Sequence, residues 1–204
     1  MDRSLVPKVT EVYRLELRNR ILEAAFYCFC RTGYDKTRMD DVANKARVSK
    51  GALYLYFKSK EDLFTTIGQV QVERLRLELT RIFSHEGDLA EKVSTLYGNL
   101  RQSDAGSEAV NLEVIAESTR NPRLRKILQS QRTAAHDAVS DSLRHLAEEG
   151  VISTQIDFDA LATGYVALYE GLTIDIVLGT QDALIKRAWN QTTKVMIEGT
   201  VRKG

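Results

Sequence analysis

Apolar residues recur at three- and four-residue spacing along nearly all of the 204 residues, and only two prolines interrupt the pattern. This spacing places apolar side chains on one face of an α-helix, whereas a half-buried strand requires strict alternation. The chain contains no low-complexity run and no internal repeat. The sequence therefore predicts an all-α fold with about nine helices.

The first part of the chain carries an excess of positive charge that the overall balance hides. Residues 1–60 hold 13 basic and seven acidic side chains, whereas residues 61–204 hold 16 basic and 21 acidic ones. The net charge of the whole chain is only +1. A polyanionic partner is therefore expected to bind the N-terminal part.

The order and length of the first four predicted helices favour a helix-turn-helix. A long helix from about Leu15 to Thr32 follows a basic, poorly ordered arm at residues 1–14. Two short helices follow, over about residues 37–46 and 49–57, each opened by a Thr or Ser cap. A longer helix runs from Ser59 to about Phe83. Two short helices joined by a three- or four-residue turn are typical of this DNA-binding motif.

Five further helices are predicted in the rest of the chain, separated by turn residues at 84–88, 103–107, 121–122, 150–157 and 179–182. Asn121 is expected to cap the helix that begins at Pro122. The last two helices, near residues 158–178 and 183–201, have the longest apolar faces.

Several features predict a cytoplasmic location without a membrane span. The N-terminus is too polar for a signal peptide, and the most apolar segment is interrupted by Glu170 and Asp175. Cys28 and Cys30 are two residues apart, a spacing that suits neither a disulfide nor a zinc pair. We expect them to be core thiols in a reducing compartment.

The second short helix is predicted to present its polar side to DNA. Six small or apolar positions can pack the two short helices against the first: Val42, Ala43, Ala46, Val48, Leu53 and Phe57. This packing leaves Ser49, Lys50, Ala52, Tyr54 and Tyr56 exposed. Gly51 lowers helix propensity, and the expected gain is close approach of the backbone to DNA or to a neighbouring helix. Lys60 begins a long helix where the macrodipole is already positive, so a DNA phosphate is its natural partner.

The run VSKGALYLYFKSKEDLF resembles the signature of TetR-family DNA-binding domains, and the preceding ILEAAFYCFCRTGYDKTRMDDVA also fits. The resemblance covers roughly residues 17–67. It implies that five residues lie at positions the family uses against DNA, with Ala52 facing bases: Thr37, Lys50, Tyr54, Tyr56 and Lys60. The predicted DNA contacts also include Arg38, Ser49 and Gly51. At Tyr56 the family very often has histidine, but a tyrosine hydroxyl can also donate to a phosphate.

The resemblance also implies two domains: a DNA-binding domain at residues 15–62, with its motif at about 38–57, and an effector-binding and dimerisation domain at residues 63–204. Palindromic double-stranded operator DNA is expected to bind a homodimer formed through the last two helices, where Gly164 and Gly171 permit close packing. A small effector, apolar or amphipathic, is expected among candidate residues Tyr97, Glu113, Glu117, His136, Tyr165 and Tyr169.

Two other classes of function are weighed against this ligand-released repressor. An enzyme would need polar groups in the helical domain to be catalytic, but the histidines lack metal-binding spacing and no nucleophile elbow or phosphate loop is present. No catalytic, metal or cofactor site is therefore predicted. The second alternative is an architectural DNA-binding protein whose C-terminal domain only dimerises. The sequence also leaves open whether the regulator represses or activates.

Overall fold

The computed structural model describes residues 11–84 and 87–200, and all nine regular elements in this part are α-helices. This confirms the all-α prediction, and most helix ends lie within a few residues of those predicted. The helices are α1 Glu11–Thr32, α2 Met39–Ala46, α3 Lys50–Tyr56, α4 Lys60–Phe83, α5 Leu89–Asp104, α6 Glu108–Ser118, α7 Pro122–Glu148, α8 Phe158–Val177 and α9 Asp182–Glu198.

The first helix begins earlier than the sequence pattern predicted. It starts at Glu11 rather than at Leu15, so Arg14 belongs to α1 and not to an arm. No helix breaker follows Pro7, and the acidic Glu11 in the first turn complements the helix dipole. The rest of the predicted arm, residues 1–10, lies outside the described residues.

The caps mostly agree with the sequence, with one correction at α2. The Asn121 carboxamide oxygen accepts from two backbone N–H groups at the start of α7, both at 3.2 Å. Arg38, not Thr37, is the N-cap of α2, and its N–H donates to the Asp41 carboxylate at 2.9 Å. The Thr37 hydroxyl is instead buried against α1, where it donates to the Gly33 carbonyl at 2.6 Å.

The chain divides into two compact units, and the boundary falls inside α4 between Ile67 and Gly68. In the first unit α1 packs on α2 and α2 on α3. The buried residues there include Ile21, Val42, Leu53 and Phe57, together with an aromatic cluster of Phe29, Tyr34 and Phe64.

In the second unit α7 packs mainly on α8, and α5 packs on α9. Its core contains Leu96, Tyr97, Leu146, Leu172 and Trp189. Near the start of this unit the Gln131 side chain of α7 lies directly against Gly68 of α4, where a Cβ atom would clash with the Gln131 amide. Only glycine fits that contact without moving Gln131.

Among the described helices, α8 alone is long and apolar enough to cross a membrane, with a mean hydropathy of 1.2 over its most apolar window. Only 11% of that window is buried inside the chain. The Glu170 carboxylate within it forms an ion pair with Arg132 of α7. Most residues of α8 are half-buried, and its exposed large apolar side chains are Ile174 and Val177 near its C-terminal end.

Candidate DNA-binding surface and effector site

Helix α3 is held to the first unit by one side only. Its N-cap Ser49 accepts from the Ala52 N–H at 3.1 Å, and Leu53 and Phe57 are buried. Gly51 and Tyr54 lie on the exposed side. One side of α3 therefore faces outward, as the sequence predicts.

Lys50 is exposed and forms an ion pair with Asp40 of α2, with its ammonium 2.8 Å from Asp40 Oδ1. The hydrogen bond to Asp40 raises the pKa of Lys50, so the lysine remains a cation. Both side chains are more than half exposed, and such pairs contribute little to stability. The Lys50 ammonium can therefore exchange Asp40 for another anion at little cost.

No contact or backbone angle within the described part of the chain requires glycine at position 51. A Cβ atom at this position would meet only Ser49 Oγ, at 4.0 Å, and its φ lies outside the left-handed region. Of the two expectations for Gly51, approach to a neighbouring helix therefore finds no support in the structure. Approach to an external partner is the expectation that stays open.

Leu55 is a surface residue of α3 that the sequence interpretation missed. Its exposed fraction is 77%, compared with 37% for the neighbouring Tyr54. The predicted contacts Ala52 and Tyr56 are only half-buried and border this surface. The sequence interpretation assigned Leu55 neither to the core nor to the DNA surface, although its position two residues after the buried Leu53 places it on the opposite side of the helix.

Thr37 and Lys60, both predicted DNA contacts, are engaged within the first unit. Thr37 is buried, as described above. The Lys60 ammonium donates to the carbonyls of Tyr34 and Asp35 at 2.8 and 2.9 Å and lies 4.5 Å from the Tyr34 ring centroid. These contacts offset the unfavourable position of a cation at a helix N-terminus. The exposed Arg38 is the last residue of the loop between α1 and α2, and Tyr34 and Asp35 lie near the start of this loop.

Two of the predicted effector residues meet in the second unit. The rings of Tyr97 and Tyr169 have centroids 6.1 Å apart and pack edge to face. Trp189, which the sequence interpretation omitted, stacks on Tyr97 at 4.9 Å and donates from its indole N–H to the Val93 carbonyl at 3.2 Å. The cluster joins α5, α8 and α9.

A carboxylate lies at one end of this cluster. The Tyr169 hydroxyl donates to Asp104 at 2.7 Å. Burial raises the pKa of Asp104, and burial followed by the nearby Asp104 charge raises the pKa of Tyr169. The adjacent Arg101 forms a 2.7 Å ion pair with Glu108. The arrangement places aromatic faces beside two carboxylates and the Arg101 guanidinium in a largely buried environment.

The other four predicted effector residues lie on α6, α7 and α8. His136 has a buried Nε2 atom without a hydrogen-bond partner in the described structure. Tyr165 packs against the core cluster, and burial raises its pKa to about 12. Glu113 and Glu117 are half-buried one turn apart on α6. Only Tyr97 and Tyr169 of the six are in ring contact with each other.

Comparisons with known proteins agree with this architecture. Residues 21–67 match the family described as bacterial regulatory proteins, tetR family, and residues 89–200 match the C-terminal domain of BetI-type transcriptional repressors. The chain is 26% identical over 182 residues to the transcriptional regulator UidR of Escherichia coli K12, covering 89% of this chain and 91% of UidR.

Solved structures give the same result. Salmonella enterica GusR is similar with a TM-score of 0.73 and 26% identity, covering 94% of this chain and 97% of GusR. A transcriptional regulator from Saccharomonospora viridis, solved with choline, has a TM-score of 0.68 and 25% identity, with 93% of this chain and 100% of that one covered.

A basic unit with an outward helix-turn-helix, followed by a separate helical unit, defines a DNA-binding transcriptional regulator. The chain belongs to the TetR family, and its C-terminal part is of the BetI-type repressor kind. The family consists of regulatory proteins rather than enzymes.

Proposed function

We propose that this protein is a homodimeric repressor that binds a palindromic operator through α3 and leaves it when a small molecule binds the second unit. The observation that carries the proposal is the exposed side of α3, where Gly51 and Tyr54 are open to solvent and Lys50 is held by one exposed ion pair. The excess of basic residues in the N-terminal part supports the same partner. Such a protein acts in the cytoplasm, where the chromosome is.

The proposed DNA surface has a contacting part and a supporting part. Lys50, Gly51 and Tyr54 are the direct contacts, while Arg38, Ser49, Ala52 and Tyr56 lie around them. Thr37 and Lys60 hold the loop before α2 against the start of α4. Phosphate contacts from this surface fix the position on DNA, and base contacts provide specificity.

Operator binding is tested by selecting genomic fragments with the purified protein and titrating the best fragment by fluorescence anisotropy over a salt series. Lys50→Ala is expected to weaken binding and to lower the salt slope by about 1, because one phosphate contact is lost. Tyr54→Ala is expected to weaken binding to the selected sequence. Lys126→Ala, an exposed lysine of α7, is the matched control. Binding that is indifferent to sequence and to both α3 variants would contradict the proposal.

We propose that α8 and α9 form the dimer contact. Both helices expose large apolar residues, which are Ile174 and Val177 of α8, Leu178 beyond it, and Leu184 and Val195 of α9. A Cβ atom at Gly171 would meet nothing within 4 Å inside the chain, so a partner helix can approach closely there. Contact with a second copy would cover these exposed apolar residues.

Analytical ultracentrifugation tests the dimer. Ile174→Asp is expected to produce a monomer, because the carboxylate would be desolvated at the interface. Leu77→Asp is the control, since Leu77 is an exposed leucine of α4. A wild-type monomer at micromolar concentration, or dissociation by both variants alike, would refute this interface.

The effector is proposed to bind around the cluster of Tyr97, Tyr169 and Trp189. Buried Nε2 of His136 and Oδ1 of Asn190 lack hydrogen-bond partners in the described structure, and a polar ligand atom could satisfy either. Movement of α7 on binding would reach α4 through the close contact of Gln131 with Gly68. A tilt of α4 in each subunit would then change the spacing of the two recognition helices.

Trp189 is the only tryptophan, so its fluorescence reports directly on this cluster. Choline is the first compound to test, because the similar regulator from Saccharomonospora viridis was solved with it. The aromatic faces of the cluster suit a cation. A change in Trp189 fluorescence together with release of the operator is expected from an effector. If no compound releases DNA, the second unit serves dimerisation alone.

A further inference from the structure

Leu55 has the largest exposed fraction, 77%, of the large apolar side chains in the described structure. Single exposed apolar residues are ordinary on a protein surface, so exposure alone indicates nothing. What distinguishes Leu55 is its position near the end of the helix proposed to enter the major groove. Folding of the first unit does not explain the choice of leucine there, because Leu53 and Phe57 provide the buried contacts of α3.

The neighbours of Leu55 define a small surface with an apolar centre. Gly51 precedes it by one helical turn and presents no side chain, so the two positions lie on the same side of α3. Tyr54 is adjacent, and the Lys58 ammonium is fixed by donating to the Tyr54 carbonyl at 2.9 Å. Leu55 therefore projects beside an open stretch of backbone.

The major groove contains only one apolar group that can meet such a side chain. Each base edge offers hydrogen-bond donors and acceptors, and thymine adds its 5-methyl group. A leucine placed over the polar edge of another base would desolvate it without supplying a hydrogen bond. We propose that Leu55 contacts the 5-methyl group of one thymine in each operator half-site and so determines specificity at that base pair.

This inference rests on the proposed function, because it assumes that α3 enters the groove. It is tested on the selected operator by replacing thymines with deoxyuridine one position at a time, which removes only the methyl group. The wild type is expected to lose about fourfold in affinity at one position per half-site, and about fifteenfold when both half-sites are changed, the effect of one buried methyl group each.

Leu55→Ala is expected to bind the thymine and deoxyuridine operators equally at that position. The substitution leaves the core untouched, and alanine has the higher helix propensity. Leu77→Ala removes a comparably exposed leucine from α4 and should keep the full thymine preference. Replacing the critical thymine with 5-methylcytosine, paired to guanine, separates the methyl contact from the rest of the base.

Two results would overturn the inference while leaving the repressor intact. One is operator binding by the wild type that no deoxyuridine substitution weakens. The other is a deoxyuridine penalty that is equal in the wild type and in Leu55→Ala, which would assign the methyl contact to another residue such as Tyr54. Absence of any sequence-specific operator for the wild type would overturn both the inference and the proposed function.

Discussion

The two units of this chain carry their candidate sites in different ways. In the first unit the direct contacts of the proposed DNA surface lie on a seven-residue helix, where Gly51 and Tyr54 are exposed and Lys50 forms one exposed ion pair. In the second unit the candidate effector site lies among core aromatic residues joined by contacts between distant parts of the chain. The first site is therefore separable from folding, whereas the second is part of the core.

This difference predicts opposite consequences of substitution. Changes on the surface of α3 should alter DNA binding and leave stability nearly constant or improve it. Changes around Trp189 should alter stability and ligand response together. The variants below are ordered from the largest expected effect to the smallest.

Trp189→Ala should lower the free energy of unfolding by about 3–5 kcal/mol, because a buried indole with two aromatic neighbours is replaced by a cavity. Urea unfolding followed by circular dichroism measures this loss, since the variant has no tryptophan signal. Trp189→Phe should lose less, because it keeps a ring against Tyr97. A change below about 1 kcal/mol for Trp189→Ala would place the cluster outside the core.

Gly51→Ala should separate binding from stability. The free energy of unfolding should rise by about 0.5–1 kcal/mol, because alanine favours the helix and its Cβ atom meets no close neighbour. Operator affinity should fall by about tenfold or more if the backbone must approach DNA, a loss of about 1.4 kcal/mol. Thermal unfolding and anisotropy give the two values.

The control for Gly51→Ala is Gly98→Ala. Gly98 lies inside α5, and a Cβ atom there also meets nothing within 4 Å. It should stabilise the protein similarly and leave operator affinity unchanged. Unchanged DNA binding by Gly51→Ala would remove the reason proposed for this glycine.

The same contrast explains what the sequence could predict. Helix positions, most caps and the outward direction of α3 depend on neighbouring residues, so the periodicity and the turn residues were sufficient. The cap at Arg38 was missed because the Thr37 hydroxyl turned toward α1, a choice made by tertiary contact. Leu55 was omitted because the predicted contacts of α3 were limited to phosphate donors and to short or aromatic side chains.

In the second unit the relevant contacts span long stretches of sequence. Tyr169 and Asp104 are 65 residues apart, and Trp189 and Val93 are 96 apart. No local pattern indicates which aromatic residues of α5, α8 and α9 will meet. The sequence therefore predicted Tyr97 and Tyr169 as candidates but omitted Asp104 and Trp189.

Asp104→Asn should stabilise the protein near neutral pH and have a smaller effect at low pH. Because burial raises the pKa of Asp104, the folded state favours the protonated acid, and wild-type stability is lost as pH rises through that pKa. Asparagine does not ionise and can still accept the Tyr169 hydroxyl. Urea midpoints between pH 4 and pH 7.5 measure the difference.

Glu78→Gln is the control, because its effect on stability should depend on pH in the opposite direction to that of Asp104→Asn. Hydrogen bonds from Arg81 and Asn99 lower the pKa of Glu78, so its contribution is present above its unfolded pKa and lost as pH falls. The penalty for removing its charge should therefore be larger at pH 7.5 than at pH 4. A pH dependence shared by both variants would argue against burial as the cause at Asp104.

Asp40→Asn should have the smallest effect. The exposed pair with Lys50 contributes little, so unfolding should change by less than about 0.5 kcal/mol. Operator affinity at low salt should rise by up to about fivefold, because the Lys50 ammonium no longer has to leave the Asp40 carboxylate before it binds a phosphate. The double variant Asp40→Asn, Lys50→Ala should show no such gain in anisotropy, and a gain in both would exclude Lys50 as its source.

The measurement that tests the central claim most directly is a hydroxyl-radical footprint of the purified protein on the selected genomic fragment, compared with that of Tyr54→Ala. We predict two symmetric protected half-sites, with centres one helical turn of about 10 base pairs, or a multiple of it, apart, and loss of both with Tyr54→Ala. A single asymmetric footprint, or one that Tyr54→Ala reproduces in full, would contradict recognition by two copies of α3.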